Sequence, residues 1–352
     1  MKKNITIKDV AKEASVHVST VSRALSPNAR ASLSIEVVER VRKIAKDMGY
    51  RPNRIASGLR TNKTMLIGII IPDITNSLYP PIVRGVESVL EPEGYASILV
   101  DTDSDPKREE KLLEILLERG VDGIIDAAVS SHDLAAAKIA DQIPVVTANR
   151  RAFGSGIPSV VNDDAGGIKA VFDLLVKNNH SEIGYIGGPR DLSTGNARND
   201  AFLEASKIHG IDAKPENSIF AVKYSEDEGS KCADLLLERN SEITAILCAN
   251  DRLAIGALEA LAERGLECPK DISVTGFNDI PMSDRIPPGL TTVRVLQFDV
   301  GRISAELLLK KINQVDLAVP ETTIMPVTVI ERGSVSARDL SLIHISEPTR
   351  PY

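Results

Sequence analysis

The sequence is poor in the residues that stabilise small secreted domains and build metal sites. Its 352 residues include no tryptophan, 3% aromatic residues and three cysteines. Three well-separated cysteines cannot form a disulfide framework, so we expect a reduced, cytosolic protein. The five histidines do not pair with cysteine at metal-ligand spacing, so no metal site and no cofactor are predicted. A core of Leu, Ile, Val and Ala favours an α/β fold.

Long apolar segments are also absent. The longest one, at residues 65–72, is too short to cross a bilayer. The N-terminal MKKNITIKDV carries two lysines but lacks the apolar run of a signal peptide behind them. We therefore expect a cytoplasmic protein with no membrane partner.

Motifs of the enzymes that use doubly wound sheets are missing too. No GxGxxG, GxxxxGK[ST] or GxSxG occurs, and GGP at 187–189 is only a weak match to a phosphate loop. No catalytic residue is predicted. An enzyme stays the first rival interpretation, which turnover of a bound ligand would support. A solute-binding protein of transport is the second, and it would need an export signal.

Positive charge is concentrated at one end of the chain. Residues 1–62 hold 13 Lys and Arg against 5 Asp and Glu, a charge of +8, whereas the remainder carries −15. A basic module on an acidic body indicates a polyanion partner for the N-terminal part alone.

The basic part has the pattern of a helix–turn–helix. Thr6 is a plausible N-cap for a first helix, residues 15–17 form the turn, and a second helix ends before residues 26–28. A third amphipathic helix is predicted over residues 34–48, with Gly49 ending it. Together these helices would form a small DNA-binding head.

Beyond residue 63, apolar runs of strand length alternate with helical patterns, which predicts parallel sheets covered on both faces. One sheet seldom holds so many strands, so two doubly wound lobes are expected. Ligands of such sheets bind at the carboxyl ends of the strands. Polar residues follow the strands at that edge: Asp73, Asp101, Asn149, Asp163, Asn250 and Asn278.

Several segments resemble the LacI-type family of bacterial transcription regulators. The head carries TIKDVAKEASVHVSTVSRAL (6–25) and GYRPNRIASGLR (49–60). The body continues the resemblance to about residue 338 with PDITNSLY (72–79), VDGII (121–125), ANDRLAIGALEAL (249–261), GFND (276–279) and LTTV (290–293). The resemblance implies a repressor with a helix–turn–helix head, a hinge helix and two lobes of periplasmic-binding-protein type.

The resemblance also assigns the DNA contacts. Val18 and Ser19 match the two main base-reading positions, and Arg23 can form a fork onto guanine. Thr20 and Ser22 are better placed for phosphates. The full DNA-binding set comprises Thr6, Val18, Ser19, Thr20, Ser22, Arg23, Asn53, Arg54 and Leu59. Within it, Leu59 is the wedge that a hinge helix over residues 53–59 would insert into the minor groove.

In the body, the resemblance implies a cavity between the lobes that binds a small effector. The positions that match the family's ligand residues are Leu78, Tyr79, Asn149, Arg150, Arg198, Tyr224, Asn250 and Asn278. Aromatic faces with convergent amides and a guanidinium suit a sugar or another polyhydroxylated metabolite. For each of these residues the alternative is an ordinary loop-capping role.

Departures from the family pattern lead to a finer hypothesis about the ligand. Asn149 and Asn278 stand where the family often has an acid, while Arg150 and Arg198 are kept. A less negative cavity would favour an acidic effector such as a uronate, an aldonate or a sugar phosphate. Ser15 and His17 replace the commoner Gly and Ser of the turn, and residues 199–201 depart from the usual Leu-x-Gly, so turn geometry and local packing are open questions.

The expected domains are a head at 1–49, a hinge and linker at 50–62, and a ligand-binding and dimerisation body at 63–338. Within the body, the N-lobe would comprise about 63–162 and 294–322, and the C-lobe about 163–291 and 323–338. The closing SLIHISEPTRPY resembles a translated sequencing adapter, so residues 339–352 are expected to be non-native. No leucine heptads precede it, which favours a homodimer on a palindromic operator. The sign of effector control, inducer or corepressor, stays open.

Overall fold

A computed structural model of the chain describes residues 5–25, 33–50, 63–313 and 319–338. The chain divides into two compact units, Met1–Thr64 and Met65–Tyr352, which are called the head and the body below.

The head contains three helices: α1 (Ile7–Glu13), α2 (Val18–Ala24) and α3 (Ile35–Asp47). Apolar side chains spaced three or four residues apart meet in a small core of buried residues: Val10, Ala11, Ala14, Val21, Ala24, Val41 and Ala45. The predicted helix–turn–helix with a third helix is confirmed. The third helix begins and ends one residue inside its predicted limits.

The body alternates strands and helices along most of its length. In chain order its elements are β1 (Leu66–Ile71), α4 (Tyr79–Leu90), β2 (Ala96–Asp101), α5 (Pro106–Glu118), β3 (Gly123–Asp126), α6 (Leu134–Ala140), β4 (Val145–Ala148), β5 (Ser159–Asn162), α7 (Asp164–Lys177), β6 (Ile183–Gly187), α8 (Ser193–Ile208), a 3₁₀ turn (Pro215–Asn217), β7 (Ser218–Phe220), α9 (Glu226–Arg239), β8 (Ala245–Cys248), α10 (Asp251–Glu263), β9 (Ser273–Thr275), β10 (Thr292–Val295), α11 (Gln297–Asn313), β11 (Thr322–Met325) and β12 (Val327–Ile330).

Two parallel sheets define the lobes. The N-lobe sheet has the order β11-β5-β4-β3-β1-β2, and the C-lobe sheet has the order β7-β6-β8-β9. Strands such as β1 and β8 are buried nearly throughout, as expected when helices cover both faces of a parallel sheet. The predicted doubly wound α/β architecture is confirmed.

The points where the chain changes lobe differ slightly from the predicted ones. β10 still pairs with β12, antiparallel, up to Val295, so the chain enters the N-lobe with α11 rather than at residue 294. β11 pairs with β5 through Met325, so the N-lobe extends three residues beyond the predicted limit at 322. The limits of the lobes are hard to predict because a continuous apolar run does not indicate which of the two sheets its strand joins.

The helices α4 and α11 pack unusually closely on the N-lobe sheet. A side chain at Gly85 would overlap the backbone at Phe298, and one at Gly301 would overlap the backbone at Ile82. Glycine at both places therefore allows the two helix backbones to touch. Among the described residues, no helix is both long and apolar enough to cross a membrane.

Candidate functional site

The turn before α2 contains two residues that depart from the family pattern. Ser15 adopts a left-handed backbone conformation, with φ +53°, the region that usually favours glycine. His17 is the N-cap of α2, because its Nδ1 accepts a hydrogen bond from the Ser19 N–H at 3.2 Å. The same Nδ1 lies 2.8 Å from the Ser19 hydroxyl. The His17 imidazole thus caps the helix in place of the usual hydroxyl. It also contacts the side chain of Ser19, a predicted base-reading residue.

The outer face of α2 is open to solvent. Ser19 and Arg23 are exposed, whereas Val18, Thr20 and Ser22 are half-buried. Val18 packs against the head core, so only part of its side chain can reach a DNA base. The Arg23 Nε donates to the Ser19 carbonyl at 3.4 Å.

Thr6 lies at the start of α1. Its backbone N–H and its hydroxyl both donate to the Asp9 carboxylate, at 2.8 and 2.7 Å. Thr6, the predicted N-cap, therefore forms a capping box with Asp9. Asn53, Arg54 and Leu59 of the predicted hinge lie outside the described residues.

All eight predicted effector residues lie around one cavity of the body. This inner cavity is lined by Asn76, Leu78, Tyr79, Asn149, Arg150, Thr194, Arg198, Tyr224, Asn250 and Asn278. The N-lobe contributes the residues up to Arg150, and the C-lobe contributes the others. Most of them are almost completely buried, so a ligand here would be largely removed from water.

The C-lobe wall is organised around Arg198. Its Nε and Nη2 donate to the Asp164 carboxylate at 2.8 and 2.7 Å, and its Nη1 donates to the Ala249 carbonyl at 2.6 Å. Its guanidinium also lies over the Phe277 ring, 3.8 Å from the ring centre. Burial raises the pKa of Asp164, although the charge of Arg198 opposes this rise. The charge of Arg198 is thus largely balanced within the protein.

The three asparagines have different surroundings. The Asn250 Oδ1 accepts from the Leu253 N–H at 2.9 Å and caps α10, and the Asn149 Oδ1 accepts from Asn162 Nδ2 at 3.0 Å. The buried Asn278 Oδ1 has no partner among the described residues. Asn149 has a φ of +66°, in the left-handed region that asparagine tolerates better than most residues, and Asn278 has a φ of +118°. Capping therefore accounts for Asn250 but not for Asn278.

Tyr224 reaches the cavity from the loop before α9. Its hydroxyl lies 3.3 Å from the Thr194 Oγ1. A side chain at Gly188 would overlap the Tyr224 ring, so glycine after β6 leaves the space that the ring fills. β7 ends at Phe220, which places Tyr224 in the loop before α9.

A larger outer cleft shares Asn76, Arg150 and Tyr224 with the inner cavity. Its N-lobe wall includes Glu109 of α5, which is buried to 4% exposure. Burial raises the pKa of Glu109 to about 10, and the nearby charge of Asp126 adds to the rise. Burial raises the pKa of Asp126 to about 7, although the Ala128 N–H donates to its Oδ1 at 2.8 Å.

Polar contacts connect the lobes at the edge of the cleft. Arg252 of α10 donates from Nη1 to Asp73 of the N-lobe at 2.7 Å, and from Nη2 to Glu226 of its own lobe at 2.7 Å. The Arg151 N–H donates to the Ser193 hydroxyl at 3.0 Å. The described arrangement of the lobes is therefore held by an ion pair and by hydrogen bonds across the cleft.

Comparison with known proteins accounts for both units. A family model for bacterial regulatory proteins of the lacI family matches residues 6–53, and one for a periplasmic binding protein-like domain matches residues 172–335. The transcriptional regulator RegA of Clostridium saccharobutylicum is 34% identical over 336 residues, covering 94% of this chain and 98% of the relative. The ribose operon repressor of Bacillus subtilis is 34% identical over 336 residues, covering 95% and 99%.

The chain belongs to the lacI family of bacterial regulatory proteins.

Solved structures of the family show the same fold. A lac repressor dimer bound to operator and an anti-inducer has a TM-score of 0.84 at 25% identity, covering 95% of this chain and 100% of that one. A family regulator from Enterococcus faecium with bound ribose has a TM-score of 0.68 at 28% identity, covering 78% and 100%. This lacI-family chain is a DNA-binding transcription regulator, and these relatives are regulators rather than enzymes.

Sequence reasoning missed several residues of the regulator's cleft. Asn76 and Thr194 line the inner cavity, and Glu109 lines the outer cleft. Asp126 ends β3 at the carboxyl edge of the sheet, and this position is a usable signal because ligands bind there. Glu109 lies inside an amphipathic helix rich in charged residues, where no sequence pattern separates a buried glutamate from a solvated one.

Proposed function

We propose that this family member is a cytoplasmic, dimeric repressor whose affinity for a palindromic operator is controlled by a sugar-like effector in the inner cavity. The observation that carries the proposal is the convergence of buried polar side chains from both lobes on that cavity. A ligand that contacts both walls binds one lobe arrangement better than another, and this difference in affinity is what allosteric control requires. The operator-bound lac repressor dimer and the ribose-bound regulator support the two halves of the proposal.

Reading of the operator is assigned to the outer face of α2. Ser19 and Arg23 are exposed there, and a guanidinium that forks onto guanine discriminates by about 1–3 kcal/mol. Val18 would add apolar contact with a thymine methyl, while Thr6, Thr20 and Ser22 would contact phosphates. Asn53, Arg54 and the wedge Leu59 complete the proposed set through the family resemblance.

The effector part can be tested with the full-length protein. An operator is selected in vitro from random palindromic DNA, and a panel of sugars is screened by thermal shift and then by fluorescence anisotropy on that operator. We expect at least one sugar to raise the unfolding temperature and to change operator affinity by about tenfold or more, a coupling of the usual size.

Asn278→Ala provides the matched variant, with Asn179→Ala as its control. Both asparagines have a positive φ, of +118° and +64°, but only Asn278 lines the cavity. Sugar binding should weaken in the first variant and stay unchanged in the second. If no sugar alters either stability or operator affinity, the proposal is wrong.

The DNA part is tested by Arg23→Ala against Arg40→Ala. Both arginines are exposed, so each variant loses one surface charge from the head. Arg23→Ala should lower affinity for the selected operator by about tenfold or more, while both variants change non-specific binding alike. Equal losses of specific affinity would remove Arg23 from the reading set.

A further inference from the structure

The hydrogen-bonding capacity of Ser19, a predicted base-reading residue of α2, is largely taken up by one neighbour. Its backbone N–H donates to the His17 Nδ1 at 3.2 Å, and its hydroxyl lies 2.8 Å from the same nitrogen. Its carbonyl accepts from the Arg23 Nε at 3.4 Å. The hydroxyl makes no other hydrogen bond within the described residues. The direction of the contact with His17 therefore decides what Ser19 can offer to a DNA base.

The backbone geometry fixes that direction. A ring nitrogen that accepts a hydrogen bond carries a lone pair, so the proton of the neutral His17 imidazole is on Nε2. A proton on Nδ1 would face the Ser19 N–H across 3.2 Å, with two donors opposed and no acceptor between them. Because Nδ1 carries the lone pair, the Ser19 hydroxyl is the donor in the 2.8 Å contact. His17 therefore binds the hydroxyl proton of Ser19.

This arrangement limits the chemistry that Ser19 presents. A serine hydroxyl that rotates freely can donate or accept, so it contacts any of the four bases. The proton of the Ser19 hydroxyl is directed to His17, and its exposed oxygen keeps only lone pairs. In the major groove, lone pairs match the amino groups of adenine and cytosine, whereas guanine and thymine present acceptors. The free lone pairs of Ser19 thus favour an amino group.

We propose that His17 holds the Ser19 hydroxyl as a hydrogen-bond acceptor, so that Ser19 reads the major-groove amino group of an adenine or a cytosine in each operator half-site. This inference rests on the proposed assignment of α2 to the operator and deepens it. His17 is a positioning residue, because it acts on the base through Ser19. Arg23 lies one turn further along the same face and would read guanine nearby.

Two other roles of His17 would leave base preference unchanged. His17 caps α2, and losing a cap destabilises the helix whatever the DNA sequence is. The exposed Nε2–H of His17 would donate to a phosphate, which positions the protein but carries no sequence information. Sensitivity to a single amino group is therefore the measurement that separates positioning from capping and from phosphate contact.

The experiment uses the full-length protein and an operator selected in vitro from random palindromic DNA. Bases of one half-site are replaced one at a time by analogues. 2-Aminopurine or N4-methylcytosine removes or blocks one major-groove amino group, whereas thio and 7-deaza analogues weaken or remove an acceptor. Fluorescence anisotropy measures the affinity of each duplex at about pH 8, where histidine side chains are normally neutral.

One amino group of the half-site should depend on Ser19. We expect the parent protein to lose about tenfold in affinity when that group is removed, since the Ser19 oxygen is then left without a partner. Ser19→Ala should be insensitive to the same analogue. A double-mutant cycle of protein variant and base analogue isolates this pair from all other contacts.

Two variants of His17 separate positioning from capping. His17→Asn introduces an amide oxygen that caps the helix and can accept from the Ser19 hydroxyl, so sensitivity to the amino group should persist. His17→Ser introduces the commoner residue of the family, a hydroxyl that caps as well but can also donate to Ser19. The Ser19 proton is then released, and sensitivity to the amino group should fall to about threefold or less.

The outcomes separate the two proposals. If Ser19→Ala becomes insensitive to an acceptor analogue instead, Ser19 donates to its base, and the assignment of His17 is wrong while α2 still reads the operator. The assignment is equally wrong if His17→Ser keeps the full sensitivity to the amino group. A Ser19→Ala variant that responds to every analogue as the parent does removes Ser19 from the reading set and overturns the assignment with it. A protein that selects no palindromic DNA overturns both proposals.

Discussion

The two walls of the cleft handle their charges in opposite ways. In the C-lobe, Arg198 is paired with Asp164 at 2.7 Å and with the Ala249 carbonyl at 2.6 Å. In the N-lobe, Arg150 makes one hydrogen bond, to Ala128, and faces buried carboxyl groups whose pKa values are raised. The buried arginine of the C-lobe wall is fully paired within the protein, while the Arg150 Nε of the N-lobe wall has no partner among the described residues.

This difference indicates separate tasks for the two walls. A wall whose buried charges are already paired needs no ligand to compensate them, because each charge has its partner inside the protein. A wall with unmet polar groups gains most when a ligand arrives, since the ligand supplies the missing partners.

The largest expected effect comes from breaking the paired wall. Arg198→Met leaves Asp164 buried without its cation, so the unfolding free energy of the body should fall by about 3–5 kcal/mol. Urea denaturation at neutral pH measures the loss. The double variant with Asp164→Asn should recover much of it, and a single variant as stable as the parent would refute the pairing as a source of stability.

Removing a buried charge from the N-lobe should raise the unfolding free energy instead of lowering it. Asp126 has a pKa of about 7 against an ordinary value of 3.8, so folding favours its protonated form. The contribution of Asp126 to the unfolding free energy is then greatest in acid, and it falls as the pH rises from about 4 to about 7. Asp126→Asn should be more stable than the parent by about 1–3 kcal/mol at about pH 8, with little difference at about pH 4.

Urea denaturation across that pH range measures the difference, with Glu110→Gln as the control for a lost surface charge. A stability difference between Asp126→Asn and the parent that stays constant with pH would show that Asp126 is not strained by burial.

The smallest effect is expected where the walls meet. Asp73→Asn removes the ion pair that joins the lobes through Arg252, whose side chain is 14% exposed against 29% for Asp73. Such partly exposed pairs contribute about 1 kcal/mol or less, so overall stability should barely change. Because the pair exists only when the lobes are close, effector affinity should fall by up to about fivefold.

Glu226→Gln removes the other partner of Arg252 within its own lobe and provides the matched control. Calorimetry with the effector measures both variants. Equal effects on effector affinity would mean that the Arg252–Asp73 ion pair does not favour the arrangement in which the lobes are close.

Local patterns predict much of the fold and most of the inner cavity. The helical spacing of Val10, Ala14 and Val21 is sufficient for the head, and alternating strands and helices are sufficient for two parallel sheets. Motif resemblance finds eight residues that the structure brings to one cavity, where their effector role remains a proposal. Ser15 and His17 depart from the family pattern of the turn, and in the structure Ser15 has a left-handed backbone while His17 is the N-cap of α2.

The remaining features depend on partners distant in sequence. Nothing near Glu109 shows that α5 turns it toward Asp126, and nothing near Arg252 shows that Asp73 lies 2.7 Å away. The limits of the lobes at β10 and β11 also differ from the predicted ones, because sheet membership depends on the neighbouring strand rather than on the strand's own residues.

By itself, the sequence determined the family, the basic head, the order of elements and the residue types at the cavity, since periodicity, net charge and short motifs are local properties of a chain. Only the tertiary structure decided how the charges are distributed within the cleft. It pairs Arg198 with Asp164 and leaves Arg150 among Glu109, Asp126 and Asp133. The reason is physical: burial and distance set the strength of an electrostatic interaction, and both come from packing between segments that lie far apart along the chain.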